Sequence, residues 1–300
     1  MENTDFRRQF NAAKDNFITK IKKNKKCLAA FLIGSGSHDL IWEWSDLQIL
    51  LIFEDGYKFP KVNLIENDIP IVLDIRTKTN FLQYLASANV ADYYFCALSK
   101  STLLFTKDPV IQESFDDIFY IGDRDKEAEM LLGFSSAVWC MNKAEKNFHI
   151  KNNIPNTIYF LFQTADAIAW IEVAKHRLFP EREIVAQAKQ LNPQLFQKIY
   201  DPMIYESITD NMVGEILSTN LCYLKENTEE VYRPVLEYLR KHGNLDKFSM
   251  PVRPGGMGID LLWLYRMGIL DRELESTKIT AQNDEFFAYK YVLKEGGCIG

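Results

Sequence analysis

Phe31–Phe53 reads FLIGSGSHDLIWEWSDLQILLIF, and this stretch decides the fold. Its apolar start, Phe31-Leu32-Ile33, ends a strand that begins at Cys27. Gly34-Ser35-Gly36-Ser37 then forms a turn, where glycine tolerates positive φ and leaves backbone N–H groups exposed. Such a turn suits phosphate oxygens, above all where a helix starts at its end. A second strand, Leu47–Phe53, follows Ser45-Asp46. Asp46 and Gln48 share a face, because side chains in a strand repeat every two residues. A third strand, Ile69–Ile75 (IPIVLDI), carries Asp74 among Val72, Leu73 and Ile75. A carboxylate in such a run is costly to bury unless it is paired or holds a metal.

Gly34-Ser35, then Ser45-Asp46-Leu47-Gln48, then Asp74 resembles the signature of the polymerase-beta-type nucleotidyltransferases, above all the antibiotic-modifying and minimal branches. That family reads G-S, S-D-x-[DE] and a third acid on a neighbouring strand, and the match covers the first third of the chain. The resemblance implies Mg²⁺ held by Asp46, Asp74 and the position of Gln48, with these three as the catalytic set. It implies a nucleoside triphosphate, ATP or another, bound by Gly34, Ser35, Gly36 and Ser37. This sequence departs from the pattern at Gln48, which offers a neutral carbonyl oxygen in place of the second acid.

The chemistry these residue types allow can be stated from first principles. Nucleotidyl transfer needs charge neutralised on a triphosphate, which magnesium does through hard oxygen ligands. Two carboxylates suit that role, and Asp74 is also placed to act as a general base on an acceptor hydroxyl. An amide at position 48 removes one negative charge from beside the metals. Two functions therefore stand as expectations. One is transfer of a nucleoside monophosphate, AMP from ATP, to a small hydroxylated molecule or a protein. The other is a catalytically degenerate member that binds nucleotide or a partner protein and regulates.

Outward from this core, residues 4–26 predict an amphipathic helix, with Phe6, Phe10, Phe17, Ile18 and Ile21 on its apolar side. Thr79–Ala86 reads as a helix and Ser101–Phe105 as a strand. After Gly122 the pattern turns helical over 125–150, 155–178, Glu183–Leu191 and Asp210–Leu224. Within this bundle Lys175 is singled out as a further contact to the triphosphate, in the run Lys175-His176-Arg177, with Lys143 and Lys146 as lesser candidates. Val231–Arg240 and Ile259–Met267 then read as helices, with Gly255-Gly256 before the second. Ile269–Leu274 and Phe286–Val292 read as strands, giving a segment that resembles a winged helix. The fold expected is α+β: a nucleotidyltransferase-like mixed sheet over 1–122, a helical bundle over 123–225 and a winged-helix-like domain over 226–300.

Composition narrows the function classes. The chain has 300 residues and a net charge of −6, which argues against a nonspecific nucleic-acid surface. No run of 18 apolar residues suggests a membrane span. Five cysteines lack any C-x-x-C spacing, so neither disulfides nor a cysteine zinc site is expected, and the reading is a cytoplasmic protein. In 226–300, Arg253, Arg266 and Lys278 face many acids, among them Glu229, Glu230, Glu237, Asp260 and Asp271. DNA binding is accordingly not expected. Titration of the full chain with duplex DNA should show no affinity that falls steeply with salt; a log–log slope reporting several phosphate contacts would contradict this.

Overall fold

The computed structural model describes residues 3–38, 40–58, 64–87, 93–243, 259–277 and 286–294. The chain divides into two compact units, Met1–Ile121 and Gly122–Gly300.

The first unit is built on a five-stranded mixed sheet. Its strands are β1 (Cys27–Ile33), β2 (Leu47–Phe53), β3 (Leu64–Glu66), β4 (Ile69–Thr77) and β5 (Thr102–Thr106), in the order β3-β4-β2-β1-β5. Only β2 and β4 pair in parallel. Helix α1 (Asn3–Ile21) lays Phe6, Phe10, Ala13 and Phe17 against Ala30, Leu32, Leu47, Ile49, Leu51 and Phe53. The opposite face is covered by α2 (Lys78–Ser87) and α4 (Pro109–Asp117): the Phe31 ring lies 5.7 Å from Phe81 and 5.1 Å from Phe115. Between these two helices in sequence comes α3 (Tyr93–Ser99). With both faces covered, β2 is buried continuously from Ile49 to Phe53, and its alternation disappears.

Helix α1 stops five residues short of the expected 26, because Lys22–Lys26 turns, with the Asn24 side chain accepting from the Lys26 amide at 3.0 Å. Strand β3 went unpredicted. It is three residues long and joins β4 through Asn67-Asp68, both at positive φ (50° and 61°), as a two-residue hairpin turn requires.

The second unit is a helical bundle of α5 (Asp123–His149), α6 (Ile154–Lys175), α7 (Ile184–Leu191), α8 (Pro193–Ile199), α9 (Asp201–Tyr205) and α10 (Asp210–His242). Asn153 caps α6, accepting from the Asn156 amide, with Pro155 in the first turn. The helices expected at 210–224 and 231–240 are one helix, α10, and the boundary expected between 225 and 226 falls inside it. The polar residues there do not break it, because they bond back one turn: Asn227 Nδ2 donates to Tyr223 O and Thr228 Oγ1 to Leu224 O, each at 2.7 Å. Pro234 lacks a backbone donor, yet the helix continues past it to Gly243 at φ 75°.

The segment expected to resemble a winged helix contributes α11 (Leu261–Arg266) and the antiparallel ribbon of β6 (Leu270–Thr277) and β7 (Phe286–Leu293). Trp263, Leu264, Ile269 and Leu270 belong to the same apolar core as the bundle. Trp263 Nε1 donates to Thr228 Oγ1 at 2.9 Å, which ties α11 to α10. Gly255-Gly256, Arg253 and Lys278 lie outside the described residues. The described cysteines, Cys27, Cys96, Cys140 and Cys222, are free, and no described helix is long and apolar enough to cross a membrane.

Inside the bundle, Glu172 is buried on α6 and fully answered. It accepts from Tyr223 Oη at 2.6 Å, from Lys175 Nζ at 3.1 Å and from Asn192 Nδ2 at 3.0 Å. Burial by itself raises its carboxyl, but the Tyr223 hydroxyl, the Lys175 charge and the Asn192 amide together bring it below the ordinary glutamate range. A carboxyl depressed in the folded state adds stability above its unfolded pKa and loses it as pH falls through the folded one. Tyr223→Phe is therefore expected to cost about 1.5–3 kcal/mol at neutral pH and to move acid unfolding to higher pH. Circular dichroism across an acid titration checks this; an unshifted acid midpoint would show that Tyr223 does not hold the charge.

Candidate functional site

Polar groups reach the surface of β2 where its cover ends. Gln48 is half-buried at the start of the strand, just before the fully buried run, and Asp46 stands two residues earlier, also half-buried. The parallel register pairs Gln48 with Val72 and Leu50 with Asp74, so Asp74 lies on the same face, roughly 7 Å further along. The apolar neighbours Leu73 and Ile75 pack towards the α1 face, which leaves Asp74 at 34% side-chain exposure. The expected burial cost at Asp74 is therefore not incurred.

The Gly34–His38 segment is a single 3-10 turn. Gly34 has φ 71°, and a Cβ there would sit 2.6 Å from Gln48 Oε1, so the Gln48 side chain lies directly over this glycine. Gly36 is needed for a different reason: a Cβ would stand 3.0 Å from the Phe10 ring. Buried Ser45 pins the loop that follows. Its Oγ accepts from the Trp42 amide at 3.1 Å and lies 3.4 Å from Ser35 Oγ, while its amide donates to Trp42 O at 2.8 Å. Ser37 Oγ donates to Gly34 O at 2.7 Å. This holds Leu40, Trp42 and Trp44 exposed beside the turn.

Each carboxylate already has a cationic or N–H partner within the protein. Gln48 Nε2 donates to Asp46 Oδ1 at 2.9 Å. Arg76 Nε lies 3.4 Å from Asp74 Oδ2. The Arg76 guanidinium is in turn stacked by two rings, 4.6 Å from the Tyr84 centroid and 4.0 Å from that of Tyr94. Burial first, and then the adjacent Asp74 carboxylate, push the Tyr94 phenol well above its ordinary pKa, so it is a neutral hydroxyl beside that acid.

This donor set does not fit a two-magnesium centre. Magnesium needs free hard oxygens at octahedral positions. Here an amide N–H holds one oxygen of Asp46, a guanidinium nitrogen stands 3.4 Å from one oxygen of Asp74, and position 48 brings no charge. Among the described residues no three His, Cys, Asp or Glu side chains converge on one point.

The structure thus brings together Gly34, Ser35, Asp46 and Gln48, with Asp74 on the same sheet face. Arg76, Tyr84 and Tyr94 were missed by the sequence reading. Arg76 carried a usable signal, since a residue two along a strand from Asp74 must share its face. The tyrosines carried none, because helices α2 and α3 bring them in from elsewhere in the chain. In the second unit, Lys175 is engaged by Glu172 and Asn227 and lies 5.2 Å from the Tyr223 ring centroid. His176 Nδ1 is 2.8 Å from Glu172 O, and Arg177 pairs with Asp123. The cations of that run are thus tied within the bundle rather than presented to an anion.

No protein-family model matches the sequence, and no curated protein matches it. A solved structure does: a nucleotidyltransferase-like protein from Exiguobacterium sibiricum 255-15, at 13% sequence identity and a TM-score of 0.64. The likeness covers 94% of this chain and 98% of that one, so the two share a nucleotidyltransferase-like fold along nearly their whole length.

The contact between Gly34 and Gln48 can be tested directly. Gly34→Ala places a methyl group against the Gln48 amide and an alanine at left-handed φ, and is expected to destabilise by about 1–3 kcal/mol. Adding Gln48→Ala should return part of that loss, leaving only the backbone cost. Denaturant unfolding of the double-mutant cycle checks it; strict additivity would mean that Gln48 does not cover Gly34.

Proposed function

We propose that this protein is a catalytically degenerate nucleotidyltransferase-fold module. It binds a nucleoside triphosphate, ATP in the simplest case, at the Gly34–Ser37 turn and regulates through that binding or through a protein partner. One observation carries the reading: both acids of the signature are engaged from within, Asp46 by a hydrogen bond from the Gln48 amide and Asp74 by the Arg76 charge. In this reading Arg76, held between Tyr84 and Tyr94, supplies positive charge where active relatives of the resembled family would place a metal ion. The α11–β6–β7 segment serves as a winged-helix-like protein contact, and the free cysteines support a cytoplasmic setting.

A second reading keeps the enzyme, transferring AMP from ATP to a small hydroxylated molecule or a protein. What favours it is that Asp46 and Asp74 are both present and half-exposed on one sheet face.

Calorimetric titration of ATP with and without Mg²⁺ separates the two. The regulatory reading expects binding in EDTA that Mg²⁺ changes little, and no release of pyrophosphate. Gln48→Asp is then expected to create metal dependence, strengthening binding in Mg²⁺ by roughly 1–3 kcal/mol, the scale of a charged partner. Wild-type binding that requires Mg²⁺, together with pyrophosphate release on adding hydroxylated acceptors, would establish the enzyme instead. No triphosphate binding under either condition would remove both.

A further inference from the structure

The loop that joins the Gly34–His38 turn to β2 carries two tryptophans that stay outside the core. Trp42 is 59% exposed and Trp44 77%, with Leu40 exposed beside them. The backbone under them is nonetheless anchored. Ile41 is buried in the core that α1 covers, and Ser45 is buried at the far end of the loop. The Leu40 amide donates to Ser35 O at 3.1 Å, and the Ser45 amide donates to Trp42 O at 2.8 Å. The indoles are therefore held in solvent by a pinned backbone.

Among the described residues, neither indole stacks on a ring, meets a cation or donates its N–H. The other tryptophans are used by the fold. Trp263 Nε1 donates to Thr228 Oγ1, Trp139 lies 5.9 Å from the Phe160 ring centroid, and Trp170 packs against the bundle core. Large apolar faces gathered at one exposed place mark a contact surface. Two features say what they contact. The loop is tied to the turn, by the Leu40 amide on Ser35 O and by the 3.4 Å approach of the Ser45 and Ser35 hydroxyls, so the indoles stand beside the place of the phosphates. Glu43, exposed between the two tryptophans, repels phosphate and an anionic membrane surface alike. The group that meets the indoles is therefore uncharged, and indole faces favour a flat ring.

We propose that Trp42 and Trp44 are the base-stacking platform of this site, which selects a ligand with an aromatic base over a plain polyphosphate or a sugar phosphate. This platform presupposes triphosphate binding at the Gly34–Ser37 turn, the reading proposed above, and adds the residues that meet the base. The phosphates go to the backbone N–H groups of the turn and the base goes to the loop. Stacking tolerates base identity, because each base presents a π face. A purine overlaps an indole more fully than a pyrimidine does, so ATP and GTP bind alike and both bind more tightly than UTP.

Calorimetry on the full-length protein in Mg²⁺ buffer compares ATP with inorganic tripolyphosphate, which has the phosphates and no base. ATP should bind at least about tenfold more tightly. The pair Trp42→Ala and Trp44→Ala should lower ATP affinity by about tenfold and leave tripolyphosphate affinity unchanged. The melting temperature should not move, since both rings are exposed. Tryptophan fluorescence of the wild type needs no variant: ATP should quench it and tripolyphosphate should not. Tripolyphosphate that binds as tightly as ATP, an ATP affinity that the alanine pair leaves unchanged, or equal fluorescence responses to the two ligands would overturn the platform and leave triphosphate binding at the turn standing. Binding of neither ligand would remove triphosphate binding itself, and the platform with it.

Discussion

The first unit depends on one constraint: β2 is covered on both faces. A polar side chain on such a strand can survive only at an end where the cover stops. Helix α1 seals one face through Phe10 and Phe17, and Phe81 and Phe115 from α2 and α4 seal the other against Phe31. Gln48 is therefore the last place along β2 where a hydrogen-bonding group can emerge, and Asp46 and the Gly34 turn gather at the same end. The location of the candidate site is thus a consequence of core packing. Its chemistry is a separate matter, decided by which polar groups stand there.

Those groups engage one another, although only Arg76 brings a compensating charge. Two carboxylates near a triphosphate repel it unless cations intervene, and at an effective dielectric of about 20 a pair of unit charges 4 Å apart interacts by roughly 4 kcal/mol. Arg76 is a cation that cannot diffuse away, fixed by Asp74 on one side and by two tyrosine rings. Gln48 removes the charge at its own position and occupies an oxygen of Asp46. An ion entering this site would compete with both internal partners, and the amide would give it only a weak neutral ligand in return.

Much of this was legible in the sequence. The Gly/Ser turn followed by an apolar run located the turn and gave the bounds of β1 and β2 to the residue, because glycine and hydrophobic continuity are local signals. The period-two rule put Asp46 and Gln48 on one face, and the parallel register sets Asp74 on that face as well. Local signals failed where the decisive partner is remote. Asp74 looked like a costly buried acid because Leu73 and Ile75 flank it, although they face the other way. The helical readings over 210–224 and 231–240 left a gap between them, although Asn227 and Thr228 there bond back into α10. Lys175 looked free for an anion because Glu172, Tyr223 and Asn227 converge on it only after α6 and α10 pack.

Helix α6 shows the same limit within a single element. Glu172 and Asp166 are both acids in an apolar helix, and residue type treats them alike, although six residues turn the helix by about 240° and set them on different faces. Tyr223, Lys175 and Asn192 surround Glu172 and hold its carboxyl below the ordinary range. Asp166 meets no donor among the described residues, and its carboxyl is raised by desolvation alone. An acid answered by three donors is part of the fold, and its loss would be read as lost stability. An acid that no described donor answers gains nothing to offset the desolvation that opposes its charge, so its loss would not be read as lost stability.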